Sequence, residues 1–341
     1  MFNRKTVFVI GAGCSKEFNL PLGWELRNSI HVALTAGDPT AHEIVSEAFH
    51  RLRIAPPSGN RNAFFRAFAD GLHTKASIDQ YLDFHRNNPA MVALGKVAIA
   101  YCILAAERRS LLNVGEVRTN FPALAETWLG RLFQCMNAGT DISRSSDIFK
   151  NITFICFNYD RCIEVMLFNA LQRLTHWDIP TTLNALKKLE VLHPYGTVGE
   201  PPKGTAAGVD CTLGFPAQRI DPLEVADGSG RLRTFTEGME DEGCRDRIQG
   251  AVSTAEQVIF LGFSYLEQNM EILRIQTDRS QWRLYGSTLG LSPPDTEIAK
   301  HRIAGIVQHP RLTASHFIQT VKVEPVRAAQ MMGDWGNTFQ S

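Results

Sequence analysis

Residues 6–15, Thr-Val-Phe-Val-Ile-Gly-Ala-Gly-Cys-Ser, carry the strongest indication of the fold of this 341-residue chain. The first five form a β-branched run without polar alternation, which is typical of a strand buried on both faces of a parallel sheet. The glycine turn that follows lets the backbone approach a phosphate closely, and a helix N-terminus favours negative charge. We therefore predict a strand that ends in a nucleotide-binding turn, with these candidate binding residues: Gly11, Ala12, Gly13, Cys14 and Ser15.

This turn departs from the dinucleotide fingerprint of dehydrogenases in two ways. The fingerprint has a third glycine where this chain has Lys16. It also has an acidic residue about twenty residues later, at the end of the next strand, where this chain shows helical periodicity instead. The turn thus favours a nucleotide site but not a hydride-transfer enzyme. A tight strand–helix turn without any ligand is the alternative.

Strand and helix patterns alternate again from residue 151 to the end of the chain. We predict strands at 152–157, 189–192, 257–261 and 282–285, helices at 161–174, 238–255, 267–279 and 295–308, and an extended or helical closing element at 317–323. Such alternation predicts an α/β fold with a doubly wound parallel sheet, that is, a Rossmann-like fold.

The region between the first two strands has a different character, because apolar residues recur there at helical spacing. We interpret residues 40–145 as an inserted helical module, and residues 1–39 and 146–341 as the Rossmann-like domain. Residues 197–233 are rich in Gly, Pro and Asp and predict a long irregular excursion.

Polar residues follow the predicted strands, at the edge where open α/β sheets bind ligands. Asn158 can hydrogen-bond a ribose hydroxyl or hold a water, whereas Asp160 either contributes to the site or caps the next helix. His193 follows a short strand, and an imidazole with a pKa near ~6.5 is the usual general base at neutral pH. A later strand end supplies further candidates for contacts to the nucleotide: Gly262, Ser264 and Asn269.

Composition excludes several classes of protein. Lys+Arg and Asp+Glu both number 35, which argues against a general polyanion binder, so no direct nucleic-acid binding is expected. The zero net charge is compatible with oligomerisation. Seven scattered cysteines without a C-x-x-C pair argue against a disulfide framework or a thiolate zinc site. We see no signal peptide and no apolar run that approaches a membrane span, so a cytoplasmic protein is expected.

On these residues the chain resembles the sirtuin family, and specifically its bacterial branch of NAD-consuming anti-phage defence proteins. The resemblance covers segments in the family's order: 11–15 with 20–23, 78–82, 157–160, 193–196 and 262–264. It implies that the residue at Asn158 holds the nicotinamide ribose or a water, and that the residue at His193 is the catalytic base. The Gly-Ala-Gly loop and the Gly-x-Ser turn would hold the dinucleotide.

Departures from the family narrow the expected activity. The zinc-ribbon cysteine pairs of the protein-deacylating sirtuins are missing, Pro21 is followed by Leu22-Gly23-Trp24, and Phe157 stands where those enzymes have Gln. The resemblance therefore implies an NAD+ hydrolase that uses NAD+ as substrate, needs no metal and releases nicotinamide and ADP-ribose. Alanine at Asn158 or His193 is expected to preserve the fold but to abolish turnover.

Because free NAD+ hydrolysis would harm the host cell, the activity should be gated. The resemblance implies a homo-oligomer or a partner protein such as a HerA-type ATPase, an Argonaute or a separate sensor. Two alternatives stay open: a non-catalytic regulatory module that binds NAD or ADP-ribose, and a protein deacylase or ADP-ribosyltransferase, which would need a groove for a protein substrate.

Overall fold

The computed structural model describes residues 1–56, 59–114, 120–200, 215–216 and 219–340. The strands of this part of the chain are β1 Thr6–Ile10, β2 Asn113–Val114, β3 Ile152–Cys156, β4 Glu190–Leu192, β5 Phe215–Pro216, β6 Gln257–Leu261, β7 Ile275–Gln276, β8 Arg283–Ser287, β9 Val307–Gln308 and β10 Val321–Glu324.

The helices lie mostly between these strands. They are α1 Ala12–Lys16, α2 Gly23–Leu34, α3 Pro39–Arg51, α4 Arg61–Leu72, α5 Ile78–Phe84, α6 Pro89–Arg108, α7 Phe121–Ala125, α8 Trp128–Asn137, α9 Cys162–Thr175, α10 Ile179–Leu186, α11 Pro222–Arg231, α12 Phe235–Glu240, α13 Glu242–Thr254, α14 Glu267–Ile272, α15 Pro293–Ala304, α16 Ala314–Ile318 and α17 Ala328–Gln340, with a 3-10 helix at Ile142–Asp147.

The central sheet has six strands in the order β10-β8-β6-β1-β3-β4, and every neighbouring pair is parallel. The chain runs from β1 outward to β3 and β4 and then returns to β6 on the opposite side of β1. This reversal between β1 and β6 is the switch point at which doubly wound sheets bind ligands. The predicted α/β, Rossmann-like fold is confirmed.

Strand β1 lies at the centre of the sheet and is buried on both faces. Val7 and Val9 belong to a core that also contains apolar residues of α2 to α6, α13 and α15. Phe8 and Ile10 belong to the opposite core, with residues of α8, α9 and α17. The unbroken apolar run at 6–10 reflects this double coverage.

The predicted helical range 40–145 does not form one packed unit. Its first part, α3 to α6, packs with α2 and with α11 from the predicted irregular excursion, whereas α8 packs against α17 and α9 on the other side of the sheet. We use "helical module" below for α2 to α6 with α11. Helix α6 begins where Asn88 caps Met91 N and Pro89 occupies the first turn, as expected for these residues.

Several predicted elements need correction. The helix predicted at 267–279 ends at Ile272, because Ile275–Gln276 pairs with Val307–Gln308. The helix predicted at 238–255 is two helices, divided at Asp241, whose side chain caps the second. The predicted excursion contains α11, whereas residues 201–214, 217 and 218 lie outside the described part of the chain. Helices α10 and α17 were not expected.

One helix among the described residues, Pro89–Arg108, is long and apolar enough to span a membrane by length and composition alone. This corrects the expectation that no segment approaches such a run. Within the fold, 67% of its most apolar window is buried, and it supplies the centre of the helical module. Core helices of globular proteins share this character.

Candidate functional site

A cleft of about 840 Å³ lies at the carboxyl edge of the central sheet. Its walls come from the loops that follow β1, β3, β4, β6, β8 and β10, together with α2 and the start of α5. The cleft therefore spans the switch point between β1 and β6 and also contacts the helical module. All the residues predicted for the site line it except Cys14 and His193.

The glycine turn after β1 packs directly on the turn after β6. Gly13 N donates to Gly262 O at 2.9 Å, and Gly11 N donates to Leu261 O at 3.0 Å. A Cβ on Gly11 would lie 2.5 Å from Gly262 O, and one on Gly13 would lie 2.7 Å from Gly262 Cα. The contact between two strand ends is thus a sufficient reason for these glycines, with or without a phosphate.

We expect Gly262→Ala to lower the free energy of unfolding by about 2–5 kcal/mol. The loss has two causes: the residue has a left-handed backbone, and its new Cβ would overlap a neighbouring backbone atom. Gly262 has a φ of +55°, and a Cβ there would lie 2.4 Å from Cys14 N. Gly290→Ala is the matched control, since its φ is +84° but nothing lies within 4 Å; we expect a loss of about 1–2 kcal/mol. Denaturant titration of both variants measures the difference in unfolding free energy. If the two variants lose equal stability, the backbone around Gly262 moves enough to remove the overlap.

Asn158 lies 9% exposed at the end of β3 and is held rigidly. Its amide nitrogen donates to Gly11 O at 3.0 Å and to Ser15 Oγ at 2.7 Å. Both contacts use the nitrogen, so the amide oxygen is the group left to accept a hydrogen bond, and no described residue donates to it. The structure therefore offers a fixed acceptor in the wall of the cleft.

Asp160 has both of its carboxylate oxygens engaged. Oδ2 accepts from Ser15 Oγ at 2.6 Å, and Oδ1 accepts from the backbone of Cys162 at 3.1 Å, in the first turn of α9. The N-cap residue of α9 is Arg161, so Asp160 contacts the first turn from one position before the cap, and it also lines the cleft. Asp160 orders Ser15, and Ser15 in turn orders Asn158.

Cys14 and His193 are the two predicted site residues that do not line the cleft. The Cys14 side chain lies in the core against the sheet, 1% exposed, and burial raises the pKa of this thiol well above its usual value. Any contact of Cys14 to a ligand would have to come from its backbone.

The His193 imidazole faces an acceptor at each nitrogen. Nε2 lies 2.9 Å from Glu164 Oε1, and Nδ1 lies 3.3 Å from the carbonyl oxygen of Asn158. Burial alone would lower the pKa of His193, but the charge of Glu164 outweighs it and holds this pKa well above the usual value. An acceptor therefore faces each ring nitrogen of His193, and the base role predicted for this residue stays a prediction.

Sequence reasoning missed Glu164. This residue is a charged side chain inside the otherwise apolar start of α9, and its side chain is 9% exposed. A carboxylate in an apolar helical run indicates a buried partner, and that signal could have identified it. Its second oxygen, Oε2, is buried without a hydrogen-bond partner in the described part of the chain.

The ion pair predicts how stability depends on pH. Because the pKa of His193 is raised on folding, the pair stabilises fully below about pH 6.5, the usual histidine value, and its contribution is lost as the pH rises through the higher folded-state pKa. We expect the free energy of unfolding to fall from pH 6 towards alkaline pH. Urea titrations at several pH values should show that the unfolding free energy of His193→Gln falls less steeply with pH than that of the wild type. An identical pH dependence would contradict the assignment of this effect to the pair of His193 and Glu164.

The cleft also carries charges and rings that sequence reasoning did not assign. Lys16, Arg27 and Arg327 line it, and Arg27 Nε is buried without an acceptor among the described residues. Trp24 lines it with 56% of its surface exposed. Ser264 is exposed at the rim, while Asn269 accepts a hydrogen bond from the Tyr195 hydroxyl at 2.7 Å.

Comparison with known proteins found no family model that matches the chain and no curated protein similar to it.

Proposed function

We propose that this chain is an NAD+ hydrolase that cleaves NAD+ to nicotinamide and ADP-ribose. The observation that carries the proposal is the convergence of the predicted site on one cleft. Side chains and turns from strand ends far apart in the sequence, after β1, β3 and β6, line a single cavity at the switch point of the sheet. Dinucleotides bind at this point in doubly wound folds.

The size and charge of the cleft suit a dinucleotide. Its volume of about 840 Å³ lies within the usual range of ligand pockets, roughly 300–1,000 Å³. Arg27 and Arg327 offer positive charge to a pyrophosphate, and Lys16 also lines the cleft, where its ammonium pairs with Glu25 at 2.6 Å. The Arg27 guanidinium is anchored by a hydrogen bond from its Nη1 to Lys75 O at 2.5 Å.

Asn158 is the residue best placed for the chemistry. Cleavage of the bond between nicotinamide and ribose passes through an oxocarbenium-like state, as in glycoside hydrolysis generally. The Asn158 amide oxygen can accept a hydrogen bond from a ribose hydroxyl or from the attacking water, while its nitrogen is fixed by Gly11 and Ser15. His193 contacts the Asn158 carbonyl, so we assign it a positioning role for this loop.

The biological setting of the proposal rests on the sequence resemblance to sirtuin-like defence proteins. In that setting NAD+ depletion would serve anti-phage defence in the cytoplasm. The activity would be gated by homo-oligomerisation or by a partner such as a HerA-type ATPase, an Argonaute or a separate sensor.

A non-catalytic NAD or ADP-ribose sensor is the second candidate, and one observation favours it. The imidazole expected to act as base is held in a buried ion pair with Glu164 and does not line the cleft. A sensor would need the cleft and its cations but no free base. The two candidates differ in whether bound NAD+ is broken down.

The deciding experiment measures nicotinamide release from NAD+ by the purified full-length chain, alone and after adding the product of the neighbouring gene. NAD+ binding is followed in parallel by tryptophan fluorescence, with Trp24→Phe as control, because Trp24 is the exposed tryptophan of the cleft. Release that Asn158→Ala loses would support the hydrolase. Binding that quenches Trp24 without any release would favour the sensor, and neither binding nor release would refute both.

A further inference from the structure

Three carboxylates of the described residues line the cleft, namely Glu17, Asp79 and Asp160, and they differ in the groups that hydrogen-bond to them. Glu17 accepts from Trp128 N at 2.6 Å and from Ala329 N at 2.9 Å, one bond to each oxygen. Asp160 likewise has one donor on each oxygen. These two carboxylates are therefore occupied by the fold itself.

Asp79 differs from the other two. The Tyr159 hydroxyl donates to its Oδ1, and apart from the backbone amide of Asp79 itself no other described group donates to the carboxylate. It is partly buried near the start of α5, a helix that begins where Ser77 caps Gln80 N at 3.1 Å. Asp79 is thus the one acidic side chain of the described cleft with an oxygen available to a ligand.

Its contacts tie Asp79 to the same loop as Asn158. Tyr159, which holds the carboxylate, directly follows Asn158, and its ring lies 6.3 Å from the ring of Tyr195. Tyr195 donates to Asn269 on the far side of the switch point. The Asp79 charge is also the main electrostatic contribution that, after burial, raises the pKa of Tyr195. The carboxylate therefore belongs to the polar wall of the cleft although it comes from the helical module.

We propose that Asp79 is the general base of the hydrolysis, a role that rests on the proposed NAD+ hydrolase function. The C1′–N bond breaks, and its electron pair leaves with neutral nicotinamide. The oxygen of a water forms the new bond to C1′, the proton of that water passes to Asp79 Oδ2, and it is then released to solvent. NAD+ and water thus yield nicotinamide, ADP-ribose and one proton.

The environment of Asp79 suits this role. Burial raises its pKa above the usual aspartate value, while the hydrogen bond from Tyr159 opposes that shift. A carboxylate with a raised pKa takes up a proton more readily than an exposed one, as glycoside-cleaving carboxyl groups do. The inserted helices would then contribute a reacting group as well as a wall.

The test is Asp79→Asn in the full-length chain, with Asp83→Asn as the matched control. Asp83 lies on the same helix but does not line the cleft. We expect Asp79→Asn to lower kcat for nicotinamide release by about 10²–10⁴-fold, the usual contribution of a general base, with NAD+ binding unchanged. Asp83→Asn should turn over at the wild-type rate.

A second arm uses azide with Asp79→Ala. Azide is already an anionic nucleophile and needs no proton removed, so it should restore nicotinamide release and give ADP-ribosyl azide. If Asp79→Asn releases nicotinamide at a rate within threefold of the wild type, the role of Asp79 is overturned while the hydrolase proposal stands. Loss of NAD+ binding in both Asp79 variants would show a structural role and overturn it too. Absence of release by the wild type under every condition would refute the hydrolase and, with it, this role.

Discussion

Asn158→Ala is expected to lower nicotinamide release by about 10²–10³-fold, the usual cost of removing one fixed hydrogen-bonding group from an active site. The amide oxygen of Asn158 is an acceptor in the cleft to which no described residue donates, and the amide nitrogen fixes its direction through Gly11 and Ser15. Because the side chain is already ordered, little reorganisation is needed when the charge of the ribose develops. Steady-state kinetics by chromatography of nicotinamide measures the effect.

Ser15→Ala is the informative companion to this variant. It removes the same 2.7 Å hydrogen bond to Asn158 but leaves the amide oxygen in the cleft. Both variants should lose similar stability, about 1–3 kcal/mol for a broken buried hydrogen bond, whereas Ser15→Ala should lose much less activity. Equal losses of activity would mean that Asn158 acts only by ordering the loop.

Arg161→Met is expected to lower the free energy of unfolding by about 3–5 kcal/mol, because it leaves a charge buried without its partner. Glu107 near the end of α6 is 1% exposed, and it accepts hydrogen bonds from the Arg161 backbone at 2.9 Å and from its guanidinium. Burial raises the pKa of Glu107, and the charge of Arg161 opposes this shift. Urea titration of the purified variant gives the loss.

Two controls separate this explanation from a general effect of losing charge. Glu107→Gln combined with Arg161→Met removes both charges and keeps an acceptor for the Arg161 backbone, so it should be more stable than Arg161→Met alone. Glu47→Gln breaks an ion pair with Arg51 in which both side chains are nearly half exposed, and it should cost less than about 1 kcal/mol. A double variant no better than the single one would contradict the buried-charge explanation.

The sheet could be predicted from the sequence because each strand carries its own signal. The apolar runs at 6–10 and 257–261 correspond to β1 and β6 residue for residue. The helix predicted at 267–279 failed for the opposite reason: Ile275 has helical spacing to Ile272, but it pairs with Val307, a contact that no local pattern reveals. Local periodicity describes an element only where distant pairing does not override it.

In the candidate site, too, local sequence patterns identified some residues, whereas contacts between distant segments determined others. Strand-end residues such as Asn158 and Ser264 could be assigned to one cleft because the ends of parallel strands meet at one edge of the sheet. The state of His193 could not be predicted, since it depends on a carboxylate 29 positions earlier on a neighbouring helix. Asp79 lies within residues 78–82, one of the segments that carry the family resemblance. Its place in the cleft depends on how the helical module packs on the sheet, which the sequence does not reveal.

The central position of β1 has a consequence for how the protein is made. Its two neighbours pair Thr6 with Ile152 and with Gln257, so β1 is synthesised before both of its partners and must wait for them. Until then its apolar faces and open edges are exposed to other nascent chains and to chaperones. Slow, late closure of the sheet is therefore expected during synthesis, and lower growth temperatures should improve the soluble yield of the full-length chain.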